Sequence, residues 1–232
     1  MQKHRLLSLM RQAVNEYSMI DKKDVIAVGL SGGKDSLALL SGLSAFRRFE
    51  DYDFSLFAIT VDMGFGTDLS AIKKYCEEEN VPLHIVNTQI SKIIFDLRNE
   101  TNPCSLCSKM RKGALNEAAL SLGCNKVALG HNKDDAVETF VMSLFYEGRL
   151  RCFEPVTKLD KTALTYIRPL MYIEEKDIRG YANKYNLPVT KSGCPADGNT
   201  ARQTVKDFLA LSANTFPNVD KCIFSAIKEL YK

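Results

Sequence analysis

Apolar residues in this chain alternate between short continuous runs and longer stretches with helical spacing. The runs are rich in β-branched residues and end at turn residues, so they predict buried strands at 24–30, 54–62, 82–88, 126–130 and 162–170. Between them, apolar residues three or four positions apart predict helices at 35–49, 67–79, 105–122, 133–147 and 174–185. Because strand and helix alternate, the pattern predicts an α/β fold with a doubly wound, parallel, five-stranded sheet.

The two ends of the chain have helical patterns only. Residues 1–20 predict a docking helix, and they lack the sustained apolar stretch and small-residue cleavage site of a secretory signal. The tail from residue 198 onward is also helical in pattern. We therefore expect an N-terminal helix in 1–20, the α/β domain in 21–190, and a cysteine loop followed by a helical C-terminal appendage in 191–232.

Composition and charge limit the choice of function only loosely. The 232 residues are 45% hydrophobic, which is ordinary for a globular protein with a packed core. The formal net charge of +3 permits contact with nucleic acid without arguing for it, although basic clusters occur at 109–112 and 149–151. No apolar run reaches the roughly 18 residues that a membrane-spanning helix needs. We expect a cytoplasmic protein with no membrane segment.

The hexapeptide at 31–36, Ser-Gly-Gly-Lys-Asp-Ser, lies directly between a predicted strand and a predicted helix. Glycines permit a tight turn there, and the first N–H groups of a helix point at an anion. Hydroxyl groups and a lysine charge add to this, so the segment predicts a phosphate cradle made by Ser31, Gly32, Gly33, Lys34, Asp35 and Ser36. The pattern matches neither a Walker A loop nor a Rossmann loop, and a plain strand-to-helix turn is the structural alternative.

A second polar segment, Gly-His-Asn-Lys-Asp-Asp at 130–135, follows the strand at 126–130 and begins another helix. In doubly wound sheets, ligands bind beyond the carboxyl ends of the strands, where strand order reverses, so Gly130 is expected beside the nucleotide. Asp134 and Asp135 could hold Mg²⁺ through water, or they could only complement the helix dipole. Val61, at the end of the second strand, is where we expect adenine to meet backbone groups.

Seven cysteines, an odd number, indicate free thiols or metal ligands rather than a disulfide framework. Cys104 and Cys107 form a Cys-x-x-Cys pair in the predicted loop before a basic helix, and no second pair exists to complete a structural zinc site. Cys194, in a segment of turn residues, is the remaining candidate. Three thiolates on a four-iron cluster leave one iron open, although three unmodified thiols are the alternative. We expect the other four cysteines to be packed or partly buried, namely Cys76, Cys124, Cys152 and Cys222.

Several segments resemble known families. Residues 31–36 resemble the PP-loop of ATP-pyrophosphatases, and residues 101–113, 128–135, 145–148 and 167–170 look like the tRNA 2-thiocytidine biosynthesis proteins, in the same order and with similar gaps. The resemblance implies a PP-loop, adenine nucleotide alpha hydrolase-like domain in 21–190 that splits ATP into AMP and pyrophosphate. It also implies Mg²⁺ and a [4Fe–4S] cluster.

The resemblance further implies residue roles. The cluster ligands would be Cys104, Cys107 and Cys194. Asp134 or Asp135 would be catalytic, Lys34 would grip pyrophosphate, and Arg111 would stand where the related 2-thiouridine branch has a catalytic lysine. Arginine at that position can orient phosphate or substrate but cannot donate a proton.

The predicted function is therefore a sulfurtransferase that adenylates a base carbonyl in tRNA and replaces its oxygen with sulfur, as in 2-thiolation of cytidine. The expected partners are tRNA and a sulfur donor such as sulfide or a cysteine desulfurase, and a homodimer is one expected assembly. Three alternatives stay open. They are a lysidine synthetase-like ligase that joins an amine to a base, thiolation of a small molecule, and a nucleotide- or redox-sensing module that holds ATP without turnover.

Overall fold

The computed structural model describes residues 1–49, 53–97, 103–190, 193–194 and 201–231. These residues form eight α-helices, one π-helical segment and six strands. The strands are β1 Asp24–Gly29, β2 Phe54–Asp62, β3 Leu83–Asn87, β4 Lys126–Ala128, β5 Val156–Lys158 and β6 Thr165–Ile167. The helices are α1 Lys3–Glu16, α2 Lys34–Phe46, α3 Ser70–Glu78, α4 Pro103–Ser121, α5 Lys133–Glu147, α6 Glu175–Lys184, α7 Ala201–Thr215 and α8 Val219–Glu229, with the π-helical segment at Lys92–Leu97.

The sheet has the strand order β3-β2-β1-β4-β6-β5. All neighbouring pairs are parallel except β5 and β6, which are antiparallel. The predicted doubly wound parallel sheet is therefore confirmed, but the predicted count of five strands is wrong for the described residues. The additional strand, β5, is a three-residue edge strand, too short for an apolar pattern to reveal. The strand predicted at 162–170 is only three residues long, and Pro169, which has no N–H to donate, follows it closely.

Helix α2 is the centre of the core, because its apolar residues are covered on every side. Leu37, Leu40 and Phe46 are fully buried, and α2 packs against α1 and α6 as well as against strands. Glycine at position 42 permits the close approach of α1, since a Cβ atom there would lie 2.3 Å from the Met10 sulfur. The predicted docking helix at the N-terminus is confirmed by this contact.

The C-terminal helices pack outside the sheet, on α5. Phe224 and Ile227 of α8 form a small apolar cluster with Ala136 and Val137 of α5. This agrees with the predicted helical appendage, whereas the domain boundaries at 20 and 190 stay predictions. Among the described residues, no helix combines the length and apolar character needed to cross a membrane.

The order of strands determines where a site can form. From β1 the chain continues to β2 on one side, whereas β4 lies on the other side of β1, so strand order reverses between β1 and β4. At such a point, the connections that leave the two strands diverge and open a crevice at the carboxyl edge of the sheet. Residues 30–33 and 129–132 border this crevice.

Candidate active site

Residues 31–36, here called the nucleotide loop, connect β1 to α2. Gly32 adopts a left-handed φ of +79°, and Gly33 precedes the first residue of α2 without any side-chain cap. Ser36 stabilises the turn, because its hydroxyl donates to the Gly33 carbonyl at 2.9 Å and accepts from the Ser31 N–H at 3.2 Å. The first N–H groups of α2 are thus left for a ligand, as an anion cradle requires.

Lys34, in the nucleotide loop, forms ion pairs with two carboxylates. Its Nζ lies 2.9 Å from Glu175 Oε1 and 3.0 Å from Asp35 Oδ2. Burial alone would lower the pKa of Lys34, but these two acids raise it above its ordinary value. Lys34 is therefore firmly cationic. The Glu175 contact comes from α6, which is distant in sequence, and the motif gave no sign of it.

Gly130 and Asn132 join the second polar segment to the nucleotide loop. A Cβ atom on Gly130 would lie 3.1 Å from the Asp35 carbonyl carbon and the Ser36 nitrogen, so a larger residue would push the loop away. Asn132 caps α5 in a reciprocal capping box with Asp135, and its side-chain amide donates to Asp35 Oδ1 at 3.0 Å. The structure brings the two predicted segments together at one edge of the sheet.

The two adjacent aspartates have protein partners. Asp134 Oδ2 accepts from the Glu175 N–H at 2.7 Å, which satisfies the start of α6. Asp135 accepts from the Asn132 N–H at 3.0 Å and lies 3.5 Å from Arg202 of α7. Burial raises the pKa of both carboxyl groups. The hydrogen bond from the Glu175 N–H partly offsets this rise for Asp134, and the one from the Asn132 N–H does so for Asp135. Their roles in Mg²⁺ binding or catalysis stay predictions.

Val61 lies near the loop on the neighbouring strand. Gly29 pairs with Ile59 in the parallel register of β1 and β2, so Val61 is two residues further toward the carboxyl edge. At this edge Thr60 donates to the Leu30 carbonyl at 2.9 Å, which ties β2 to the start of the loop. The position agrees with the expected adenine contact, which stays a prediction.

The cysteine pair lies within a helix, not in a loop as predicted. Helix α4 begins at Pro103, a residue favoured in the first helical turn, so Cys104 and Cys107 occupy its first two turns. Cys104 is exposed and Cys107 is half-buried. Burial raises the pKa of the Cys107 thiol, Arg111 lowers it, and the neighbouring thiols of Cys194 and Cys104 raise it further. The three cysteines are therefore electrostatic neighbours.

Cys194 reaches this position on a segment that is attached to the nucleotide loop. The N–H of Thr190 donates to the Gly32 carbonyl at 3.0 Å. Gly193 packs against Phe65 in the connection after β2, so closely that a Cβ atom would lie 3.0 Å from that of Phe65. The thiols thus lie on the same side of the sheet as the nucleotide loop.

The donor set fits a cluster better than a single ion. Among the described residues, no three His, Cys, Asp or Glu side chains converge on a point that could hold one metal ion. A four-iron cluster does not require such convergence, because each thiolate binds a different iron. Two thiols spaced i, i+3 on one helix with a third thiol as their neighbour satisfy that requirement.

The other cysteines are separate from this site. Cys76 and Cys124 are buried, as predicted, and burial raises the pKa of Cys76 to about 11. Cys152 is partly buried and lies 3.4 Å from the Ala136 carbonyl. The prediction for Cys222 is wrong, because this residue of α8 is exposed.

Sequence reasoning missed three further residues at this edge. Arg202 forms an ion pair at 2.8 Å with Glu138, whose side chain is 4% exposed. Arg168, just after β6, donates through Nε to His131 Nδ1 at 3.3 Å. Arg202 and Glu138 lie in segments that showed only helix patterns. Arg168 lies in the segment 167–170 that resembles the family, but the resemblance gave it no role, and its place at the end of a strand at the ligand edge was the available signal.

Comparison with known proteins agrees with this geometry. The model of the PP-loop domain family matches residues 3–210, so the fold and loop define a PP-loop protein. A tRNA-cytidine(32) 2-sulfurtransferase of Pelobacter propionicus is 35% identical over 231 residues, which span 98% of this chain and 86% of that protein. The protein of that name in Coxiella burnetii strain RSA 493 is 34% identical over 97% of this chain and 90% of its own length. The chain therefore belongs to the tRNA 2-thiocytidine sulfurtransferase family of PP-loop proteins.

Solved structures share the fold. A U34-tRNA thiolase from Methanococcus maripaludis, determined with its [4Fe–4S] cluster, superposes with a TM-score of 0.81 at 26% identity and covers 98% of this chain and 79% of that one. An NH3-dependent NAD synthetase from Campylobacter jejuni superposes with a TM-score of 0.55 at 16% identity over 99% of this chain and 93% of that one. The second similarity concerns the fold alone.

Proposed function

We propose that this protein uses ATP to activate the C2 carbonyl of a cytidine in tRNA and replaces its oxygen with sulfur. The relatives named tRNA-cytidine(32) 2-sulfurtransferase support cytidine 32 as the target. The observation that carries the proposal is the position of Cys107, whose thiol neighbours Cys104 and Cys194 on the side of the sheet where the nucleotide loop lies.

The proposed reaction has two steps. The carbonyl oxygen attacks the α-phosphorus of ATP, the bond between the α- and β-phosphates breaks, and pyrophosphate leaves. A sulfide-level sulfur nucleophile then attacks the C2 carbon, the carbon–oxygen bond breaks, and AMP departs with the oxygen. Adenylation is needed because an amide-like oxygen is a poor leaving group. No net oxidation occurs if the donor delivers sulfur as sulfide.

The nucleotide loop would hold the polyphosphate. Its backbone N–H groups, the hydroxyls of Ser31 and Ser36 and the charge of Lys34 would stabilise the departing pyrophosphate, an electrostatic contribution that fixed donors make in many active sites. Backbone groups at Val61 and Gly130 would contact the rest of the nucleotide. Mg²⁺ would be bound by phosphate oxygens and by Asp35, Asp134 or Asp135 through water.

Arg111 and the two adjacent aspartates are the proposed catalytic groups. Arg111 follows Cys107 by one helical turn, so its guanidinium can lie over the thiols and orient a phosphate between them and the loop. Asp134 or Asp135 would bind the metal or accept a proton from the sulfur nucleophile, and the raised pKa of each makes proton transfer easier than for an ordinary aspartate.

Cys104, Cys107 and Cys194 would hold a [4Fe–4S] cluster. With three protein thiolates, such a cluster has one iron with an open position, where a sulfur donor can be held. The donor would be sulfide, or a cysteine desulfurase whose persulfide sulfur takes up two electrons from an external reductant such as a thiol and so reaches the sulfide level. Because tRNA is the proposed substrate, we place the protein in the cytoplasm, and a homodimer is the assembly to test by light scattering.

The decisive experiment is mass spectrometry of tRNA nucleosides from cells with and without the gene. We expect 2-thiocytidine to disappear on deletion, to return with the wild-type gene and with Cys222→Ala, and to stay absent with Cys107→Ala. With purified protein and tRNA, ATP should yield AMP and pyrophosphate. ADP and phosphate would contradict the proposal, whereas loss of lysidine or of a thiolated metabolite would favour the ligase or small-molecule alternative.

A further inference from the structure

A second polar cluster lies at the carboxyl ends of β4 and β6, and Arg111 is the one member of it that the proposed sulfur transfer uses. Its centre is His131, whose ring stacks on Phe153 with centroids 4.8 Å apart. Arg168, which is 6% exposed, donates through Nε to His131 Nδ1 at 3.3 Å. The same guanidinium donates through Nη1 to the carbonyl of Glu154 and to Thr157 Oγ1. The imidazole is thus fixed in position and orientation.

The Arg168 contact determines which nitrogen of His131 carries the proton. A guanidinium can only donate, so Nδ1 must be the acceptor and a neutral ring must carry its hydrogen on Nε2. Burial lowers the pKa of His131 to about 3, with further lowering by the surrounding cations, which are Arg168, Lys112, Arg202 and Arg111. Within the described part of the chain, Nε2 has no hydrogen-bond partner. His131 therefore offers one directed, uncharged N–H donor.

Positive charge around this donor is only partly compensated. Arg202 is paired with Glu138 and Asp135. Arg111 and Lys112 on α4, by contrast, form no ion pair with any described residue. Burial lowers the pKa of Lys112, and its neighbours Arg168 and Arg111 lower it further. Like charges that are only partly compensated repel one another, and an anion between them would relieve that repulsion.

We propose that His131 and three neighbouring cations form a binding site for a phosphate group, with the Nε2 hydrogen of His131 as the directed donor. The cations are Arg111, Lys112 and Arg168. The phosphate group could come from either of two molecules that reach this site. One is a phosphate of ATP, because Gly130 touches the nucleotide loop. The other is a backbone phosphate of RNA, because Arg111 and Lys112 are exposed on α4. The RNA source rests on the tRNA substrate of the proposed function, whereas the ATP source rests on the PP-loop domain alone.

Two substitutions at position 131 separate the donor from the shape of the ring. His131→Phe keeps a ring that can stack on Phe153 but removes the N–H group. His131→Gln supplies an amide N–H near the position of Nε2. Binding of pyrophosphate and of a non-hydrolysable ATP analogue is measured by calorimetry, and binding of unmodified tRNA by fluorescence anisotropy at fixed salt.

We expect His131→Phe to weaken binding of one of these probes about tenfold, as loss of a hydrogen bond to a charged group predicts. His131→Gln should stay within about threefold of the wild type. A loss confined to pyrophosphate or the ATP analogue identifies ATP as the source, and a loss confined to tRNA identifies RNA. In the RNA case, Lys112→Ala should flatten the dependence of log affinity on log salt by about one unit. Equal binding of all probes by wild type and His131→Phe overturns the proposal.

The ring itself can be observed without any ligand. The chain has three histidines, so two-dimensional ¹H–¹⁵N spectra of the side chains can be assigned with His131→Gln as the reference. We expect His131 to be neutral with its hydrogen on Nε2 from about pH 5 to 8. A charged ring, or a hydrogen on Nδ1, refutes the proposed donor. If wild type binds no tRNA, the proposed function fails, yet these spectra and the ATP arm still decide the phosphate site.

Discussion

Gly32 lies where the nucleotide loop meets the segment that leads to Cys194, and Gly32→Ala should disrupt both. Its φ of +79° is a left-handed conformation, and a Cβ atom there would lie 2.1 Å from Thr190 Oγ1 and 3.1 Å from Ile72 Cδ1. No real side chain tolerates the first distance. The backbone of Thr190 cannot withdraw freely, because its N–H donates to the Gly32 carbonyl at 3.0 Å, so relief of the contact requires its side chain to rotate.

Two costs add in this variant. The left-handed conformation costs an L-residue about 1–2 kcal/mol, and overpacking costs about 1–3 kcal/mol. We therefore expect Gly32→Ala to lower the free energy of unfolding by roughly 2–5 kcal/mol. Gly123→Ala is the matched control for the first cost alone, because Gly123 has a φ of +72° and a Cβ atom added there would have nothing within 4 Å. It should lose only about 1–2 kcal/mol.

Urea unfolding of four proteins measures the steric cost directly: wild type, Gly32→Ala, Thr190→Ala and the double variant. In the double variant, residue 190 is alanine, and its Cβ atom would lie an ordinary 3.4 Å from the Cβ atom added at position 32. The double variant should recover about 1–3 kcal/mol relative to the sum of the single changes. The inferred steric contact is refuted if the free-energy changes of the substitutions at 32 and 190 are additive. It is also refuted if Gly32→Ala costs no more stability than Gly123→Ala.

Three further predictions test other parts of the structure. Gly113→Ala should stabilise the protein by about 0.5–1 kcal/mol, because Gly113 lies inside α4 with nothing within 4 Å of an added Cβ atom; a lower melting temperature would contradict this. Burial alone would raise the pKa of Glu175, but its two lysine partners lower it to about 2. A lowered folded-state pKa gives stability that is present above the unfolded pKa of about 4.3 and is lost as pH falls toward 2. The difference in free energy of unfolding between wild type and Glu175→Gln should therefore shrink over that range. A constant difference would be inconsistent with the ion pairs. After anaerobic reconstitution, Cys194→Ala should bind less iron than wild type while Cys222→Ala binds the same amount, and equal iron in both would assign the third ligand elsewhere.

The sequence predicted the parts of the fold that depend on local pattern. Buried parallel strands are apolar on both faces, so β1 and β2 were visible as continuous runs, and the loop between β1 and α2 was visible because its glycines and serines are distinctive. Strand β5 was missed because three edge residues carry too little pattern. The loop assigned to Cys104 and Cys107 was wrong for two reasons. The predicted helix began at 105, two residues late, although Pro103 is typical of a first helical turn, and Cys107 already lay inside the predicted range 105–122.

The contacts that assemble the site could not be predicted in the same way. Helical spacing shows which face of a helix is apolar, but not which charged residue of another helix will meet it. The ion pairs of Lys34 with Glu175 and of Glu138 with Arg202 join residues more than 60 positions apart. No motif includes these two pairs. The sequence shows that charged residues lie near the starts of α6 and α7, but not which residues they pair with. Only the packing of α6 and α7 at the ligand edge brings these pairs together.

These long-range contacts connect the third cysteine to the nucleotide loop from both directions. Before Cys194, the backbone of Thr190 binds that of Gly32. After it, Arg202 binds Glu138 and Asp135 on the helix that follows Gly130. Among the residues that the structure describes, removing Arg202 would leave the nearly buried Glu138 with only its longer, 3.5 Å ion pair to Lys206. A poorly compensated buried carboxylate is costly, so the tail is held in place by more than apolar packing. Since both attachments use residues at the crevice between β1 and β4, a change that moves the nucleotide loop should also move the third thiol. The fold thereby makes the position of the Cys194 thiol depend on that of the nucleotide loop.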